Sequence, residues 1–168
     1  MIAYLLGKHK GMDMAVFYFI RHGQADFREA NTKIYQGRGF HLLTLSPLGQ
    51  EQIRAAAGDA RLREARVLLS PFGRALHSAA ILSKELGLEI RVETDLHEWL
   101  ADGVDYAFLP QEEADARFRE LREYRGGHPQ GGARGWETAE QMRKRVFAVL
   151  ERYREDGCAI VCCHGTLM

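Results

Sequence analysis

The chain has 168 residues and a mass of 19.1 kDa, and its 46% hydrophobic and 27% charged residues suit one globular domain. That composition excludes a disordered, collagen-like or disulfide-scaffold chain. Lysine plus arginine number 23, as do aspartate plus glutamate, so no overall positive field exists to hold a phosphate backbone, and nucleic acid is not an expected partner.

The longest apolar run near the start, Met14 to Ile20, is far shorter than the ~18 residues a membrane-spanning helix needs. Lys8 and Lys10 follow the apolar Met1 to Leu6 instead of preceding it, which is not the order of an export signal. Neither a membrane nor a secretory route is expected. The three cysteines, Cys158, Cys162 and Cys163, crowd one apolar segment, as reduced, buried thiols of a cytoplasmic protein would.

Residues 1–13 break at Gly7 and Gly11 and read as a leader or flexible extension, leaving 14–168 as the domain. Ala15 to Ile20 is a continuous β-branched and aromatic run, the pattern of a strand buried on both faces, and it ends at Arg21-His22-Gly23. Ser46-Pro47 predicts an N-cap and first helical residue, with Ile53, Ala56, Ala57 and Ala60 at helical spacing behind them. Val67 to Leu69 is a second strand. Ser70-Pro71 then introduces a helix with Ala75, Ala79, Leu82 and Leu86 on one face and Gly87 at its end. A third strand is predicted at about Glu89 to Val92. Pro110 opens a charged helix whose apolar side is Ala114, Phe118 and Leu121. The glycine-rich stretch Gly126 to Gly135 predicts a mobile loop. Thr138 and Gln141 form a capping-box pattern ahead of a helix with Met142, Val146, Val149, Leu150 and Tyr153 inward. Cys158 to Cys163 is the last strand, ending at His164-Gly165. Strands alternating with helices predict an α/β fold, a mostly parallel sheet covered by helices on both faces.

In such sheets, functional residues gather beyond the carboxyl ends of the strands. Those ends deliver Arg21 and His22, Ser70 with Arg74 in the next helical turn, Asp95-Leu96-His97-Glu98-Trp99, and His164. Each residue alone has an ordinary structural role. Together they project histidines, arginines and a carboxylate toward one rim, and a buried charge cluster is costly unless an anion compensates it. Arginine presents a planar fork of donors matched to phosphate oxygens, which suits Arg21 and Arg74 to a phosphoryl group. Neighbouring cations keep a histidine neutral and nucleophilic, as His22 would be, and a carboxyl group at the pocket mouth, Glu98, can protonate a leaving alkoxide. Cys158, Cys162, Cys163 and His164 alternate between faces of one strand and cannot converge on zinc, so no metal or other cofactor is expected.

The ordered set Arg21-His22-Gly23-Gln24, Leu45-Ser46-Pro47-Leu48-Gly49 with Gln52, Ser70-Pro71-Phe72-Gly73-Arg74-Ala75, Asp95-Leu96-His97-Glu98 and His164-Gly165 resembles the histidine phosphatase superfamily, the phosphoglycerate-mutase-like proteins. The resemblance runs from Ala15 to the end of the chain. It implies a three-layer α/β sandwich in which His22 is the phosphorylated nucleophile, Arg21, Arg74 and His164 complete the phosphate pocket, and Glu98 is the proton donor, without a metal. The short charged insert and Gln24 look more like the small phosphatase branch than the longer mutases, which carry asparagine where this chain has Arg28. Gln24, Arg28 and Trp99, with Tyr106 and Phe108, are candidates for the substrate pocket, and Asp102 to Trp136 is the variable segment that would set specificity. His77 and Ser78 stand where the family usually has glutamine and threonine.

The expected activity is hydrolysis of a small phosphorylated metabolite through a phosphohistidine. A binding protein for phosphate or a phosphorylated ligand, without turnover, is the alternative, and a mutase is a third reading. Family members continue through a further helix and strand, whereas four residues follow His164 (168 − 164), which implies a shortened chain. Apolar surface left bare beside the last strand would then favour a homo-oligomer.

Overall fold

Alternation along two neighbouring strands sets the architecture. In the computed structural model, which describes residues 2–6, 15–28, 41–71, 73–105, 107, 109–130 and 135–168, β2 (Ala15–Arg21) and β5 (Cys158–Cys163) pair in parallel from Val16↔Cys158 to Arg21↔Cys163. Successive side chains of a strand point to opposite faces. Phe17 and Phe19 therefore share a face with Ala159, Val161 and Cys163, while Tyr18 and Ile20 share the other with Ile160 and Cys162. This is the double-sided burial that unbroken apolar runs demand.

The sheet continues through β3 (Val67–Ser70) to β4 (Ile90–Val92), also parallel, and begins with β1 (Ile2–Leu6), antiparallel to β2, giving the order β1-β2-β5-β3-β4. α1 (Pro47–Ala57) and α2 (Gly73–Leu86) cover one face with Ile53, Ala57, Ala79 and Leu82. α4 (Ala139–Arg152) covers the other with Val146, Val149 and Leu150. The result is a three-layer α/β sandwich. α3 (Gln111–Glu123) lies aside, where its Leu121 and Phe118 form a third, smaller cluster with Trp99, Trp136 and Met142 of α4.

Local chemistry fixes the helix starts. The Ser46 hydroxyl accepts from the Gly49 N–H at 3.0 Å with Pro47 at the first helical position, and Thr138 and Gln141 complete a reciprocal capping box.

Several details depart from the expectation. Ile2–Leu6, set aside as leader, forms the outer strand of the sheet, because the exposed edge of β2 offers hydrogen-bonding groups to any extended segment that reaches it. α1 stops at Ala57. Ala60 begins a separate 3-10 turn, Ala60–Glu64, capped by the Asp59 carboxylate accepting from the Arg61 N–H at 3.0 Å. Of the glycine-rich stretch, residues 131–134 lie outside the described ones, but its flanks are tied down. Gly126 N–H donates to the Leu121 carbonyl at 2.6 Å, and the Trp136 indole N–H donates to the Gly127 carbonyl at 3.1 Å. The apolar side chains of β5 are covered within the one chain, by the helices on either face, with Leu167 and Met168 packed against the α4 side.

Candidate active site

Strand register alone brings the two histidines together. Arg21 pairs with Cys163 in the ladder, and the His22 N–H extends it to the Cys163 carbonyl at 3.0 Å, so His22 and His164 leave the sheet side by side. Their rings meet edge to face with centroids 5.3 Å apart.

The tautomer of His22 follows from its partners. Nδ1 lies 2.7 Å from the Gly23 carbonyl, an acceptor only, so Nδ1 carries the proton. Nε2 lies 2.9 Å from Nε of Arg74, a donor only, so Nε2 holds the lone pair. Burial, with Arg74 and Arg21 adding to it, outweighs the Gly23 carbonyl and holds the His22 pKa down to about 4. The imidazole is therefore neutral at neutral pH, with its lone pair on Nε2.

His164 is 1% exposed, and burial followed by the charge of Arg74 pushes its pKa down to about 2. Among the described residues, both of its ring nitrogens lack a hydrogen-bond partner, as do the buried Ser70 hydroxyl and Nη1 of Arg74. Buried polar atoms are nearly always satisfied, and these four stand at the carboxyl ends of β3 and β5 and in the first turn of α2, where they could bind an oxygen-rich ligand. Arg74 is 9% exposed, and no carboxylate forms a salt bridge with it among the described residues. Burial pulls its pKa down, an effect that nearby Glu98 opposes and Arg21 reinforces. A guanidinium so placed favours an anion. The side chain of Arg21 runs past Gly165, where a Cβ would sit 3.3 Å from its Nε.

The loop after β2 is clamped at close quarters. Gly23 N–H donates to Ser78 Oγ at 3.2 Å, and that hydroxyl donates to the Arg74 carbonyl at 2.9 Å, linking the His22 loop to α2. His77 Nδ1 accepts from the Leu45 N–H at 3.2 Å. Gly23 and Gly49 cross so closely that a Cβ on Gly23 would lie 2.2 Å from the Gly49 carbonyl oxygen.

Glu98 follows a 3-10 turn, Thr94–Leu96, and its Oε1 accepts from the Trp99 N–H at 2.9 Å. Its charge acts on Arg74, opposing the effect of burial there, and on the Cys163 thiol. The pocket candidates divide. Gln24 Oε1 accepts from the Ser46 hydroxyl at 2.7 Å, and Arg28 lies outward in an ion pair with Asp26 at 2.5 Å. Trp99 packs into the third cluster, edge to face with Phe118, its indole N–H donating to the Glu137 carbonyl at 2.7 Å. Tyr106 and Phe108 lie outside the described residues. Cys162 and Cys163 fall on opposite sides of the sheet.

The family model of the histidine phosphatase superfamily (branch 1) matches residues 17–168. The chain belongs to this superfamily. No match is found among the curated protein sequences. Among solved structures, mycobacterial glucosyl-3-phosphoglycerate phosphatase in complex with inorganic phosphate is 25% identical, with a TM-score of 0.62 over 89% of this chain and 72% of that one. The same mycobacterial phosphatase with VO3 gives 28% identity and a TM-score of 0.57 over 89% and 75%. A Thermus thermophilus protein, 22% identical with a TM-score of 0.59 over 90% and 79%, shares the fold.

In this member of the superfamily, His22, His164 and Arg74 lie together at the strand ends, and one pair of residues in the chain escaped the sequence. Glu137 and Arg145 form a buried ion pair at 2.5 Å that contacts Asp95, Trp99 and Leu100, on either side of Glu98. The signal was present: Arg145 interrupts the inward stripe of Met142, Val146 and Val149, and a charge in such a stripe calls for a partner.

Proposed function

We propose that the chain is a phosphomonoester hydrolase that acts through a phosphohistidine on a small phosphorylated metabolite. The observation that carries this reading is the fixed, neutral tautomer of His22, whose Nε2 lone pair faces Arg74. Arg74 and Arg21 bind the phosphoryl oxygens, Arg74 turning from Nε2 to the oxygens as substrate enters, and His164 donates one ring N–H. Nε2 attacks phosphorus, the ester P–O bond breaks, and the departing oxygen takes a proton from Glu98. Water, giving a proton to the Glu98 carboxylate, then attacks the phosphohistidine, releasing inorganic phosphate and restoring Nε2.

The superfamily membership and the phosphatase neighbours, crystallised with phosphate and VO3, support this reading. Nothing in these steps requires a metal, so activity should persist in a strong chelator. The domain is taken as 14–168 with β1 appended. Three free thiols accord with a cytoplasmic setting.

The test is chemical trapping. Brief incubation with a radiolabelled phosphomonoester followed by alkaline quench should leave an acid-labile label on the wild type and none on His22→Ala, whose turnover should fall to background. Label retained by His22→Ala overturns the assignment. A wild type that binds vanadate without labelling or turnover is a binding protein instead, and transfer of the label to a second phosphoester is a mutase.

A further inference from the structure

Glu98 sits in a stretch without regular structure, and the hydrogen bond its carboxylate accepts comes from the backbone of its own neighbour, Trp99. A bond to an adjacent residue cannot by itself hold that carboxylate at the rim. Around it, the stretch is gripped at several points by two residues, Glu137 and Arg145. Upstream, Nη1 of Arg145 donates to the Asp95 carbonyl. Downstream, the Glu137 carboxylate accepts from the Leu100 N–H at 3.3 Å, its carbonyl accepts from the Trp99 indole at 2.7 Å, and its N–H donates to the Leu100 carbonyl at 2.9 Å. The two residues are locked to each other by a two-pronged contact, Nε to Oε1 at 2.5 Å and Nη2 to Oε2 at 2.9 Å, with side chains 13% and 7% exposed.

A buried ion pair adds little net stability over an apolar pair of the same size, because desolvation offsets its attraction. Its distinctive property is direction: a bidentate guanidinium–carboxylate pair fixes the orientation of both groups. We propose that Arg145 and Glu137 are positioning residues that hold Glu98 at the leaving-group side of the phosphate pocket, an inference that rests on Glu98 being the proton donor. His97 belongs to the same arrangement, its Nδ1–H donating to the Glu98 carbonyl at 2.7 Å. A shift of about 1 Å in a catalytic group suffices to lower a rate by about 10²-fold, so the loss should appear wherever the proton transfer matters and nowhere else.

The experiment compares an alkyl phosphate, whose leaving oxygen must be protonated, with nitrophenyl phosphate, whose leaving group departs unaided. Arg145→Lys keeps the charge and loses the fork. It should lower kcat on the alkyl ester by about 10- to 100-fold, with nitrophenyl turnover and vanadate affinity held within about 3-fold. Because Arg145 acts through Glu98, adding Arg145→Lys to Glu98→Gln should lower the alkyl rate no further. Equal losses on both esters, or additive losses in the double variant, overturn the positioning role while leaving Glu98 as proton donor. A Glu98→Gln variant that is itself indifferent to the leaving group removes the donor reading and this inference with it. If Arg145→Lys does not fold, the neutral pair Glu137→Gln with Arg145→Met is judged by the same outcomes.

Discussion

The crossing of Gly23 and Gly49 allows a quantitative prediction. A methyl group on Gly23 would lie 2.2 Å from the Gly49 carbonyl oxygen, and one on Gly49 would lie 2.2 Å from the Gln24 carbonyl oxygen, against an ordinary contact of 3.4–4 Å. Both obstacles are backbone, so the loop carrying His22 and the start of α1 must part by about 1 Å. Overpacking of this kind costs about 1–3 kcal/mol, which for a chain of this size is roughly 2–12 °C in Tm. The displacement falls on His22, whose Nδ1 is held by the Gly23 carbonyl, so turnover should drop by about 10²-fold or more. Gly58→Ala is the control. Gly58 has φ −70°, and the nearest atom to its added Cβ is the Ala55 carbonyl oxygen at 3.2 Å, so stability should change by less than about 1 kcal/mol. Thermal melts, nitrophenyl phosphate turnover and vanadate titration on the three variants decide the matter. Wild-type melting and turnover in Gly23→Ala would refute the reasoning.

Two further outcomes are expected. His22 and His164 have folded pKa values of about 4 and about 2 against 6.5 in an unfolded chain, so between pH 6.5 and 4 the unfolded chain binds protons that the folded one refuses. The contribution of these two groups to stability is therefore full above pH 6.5 and is lost on acidification. His22 contributes at most about 3 kcal/mol to that loss, less for its partial exposure, and urea midpoints that agree at pH 7 and pH 5 would contradict it. Cys162 and Cys163 are fully covered and their thiols are pushed up by burial, whereas Cys158 is half-buried. An alkylating reagent should modify at most Cys158 in the native protein and all three after unfolding, as peptide mass mapping would show.

Much of this arrangement was legible in the residues themselves. Continuous apolar runs at Ala15 and Cys158 announced strands buried on both faces, and Ser46-Pro47 and Thr138 with Gln141 announced helix starts, because these signals act over a few residues. β1 was not legible. Ile2–Leu6 is a five-residue run whose strand character comes from pairing with β2, a contact that leaves no periodicity in the segment. Trp99 reads as a pocket wall by its position after Glu98, yet it lies in the third cluster. Its ring packs with Phe118, Leu121 and Trp136, all distant in sequence, so no local pattern marks the contact. The Glu137–Arg145 pair was hidden for the same reason: half of its purpose lies in backbone groups at Asp95 and Leu100.

The third cluster also has an optical consequence. The chain has two tryptophans, Trp99 and Trp136, and both lie in it, Trp99 against Phe118 and Trp136 against His128 with ring centroids 5.0 Å apart. Neither sheet-side cluster holds an indole. Emission excited at the red edge of the indole band thus reports on the neighbourhood of Glu98, while far-ultraviolet dichroism reports on the sheet and helices that carry His22, Arg74 and His164. Followed through one urea titration, the two signals show whether the two halves of the site are lost in a single step or one after the other.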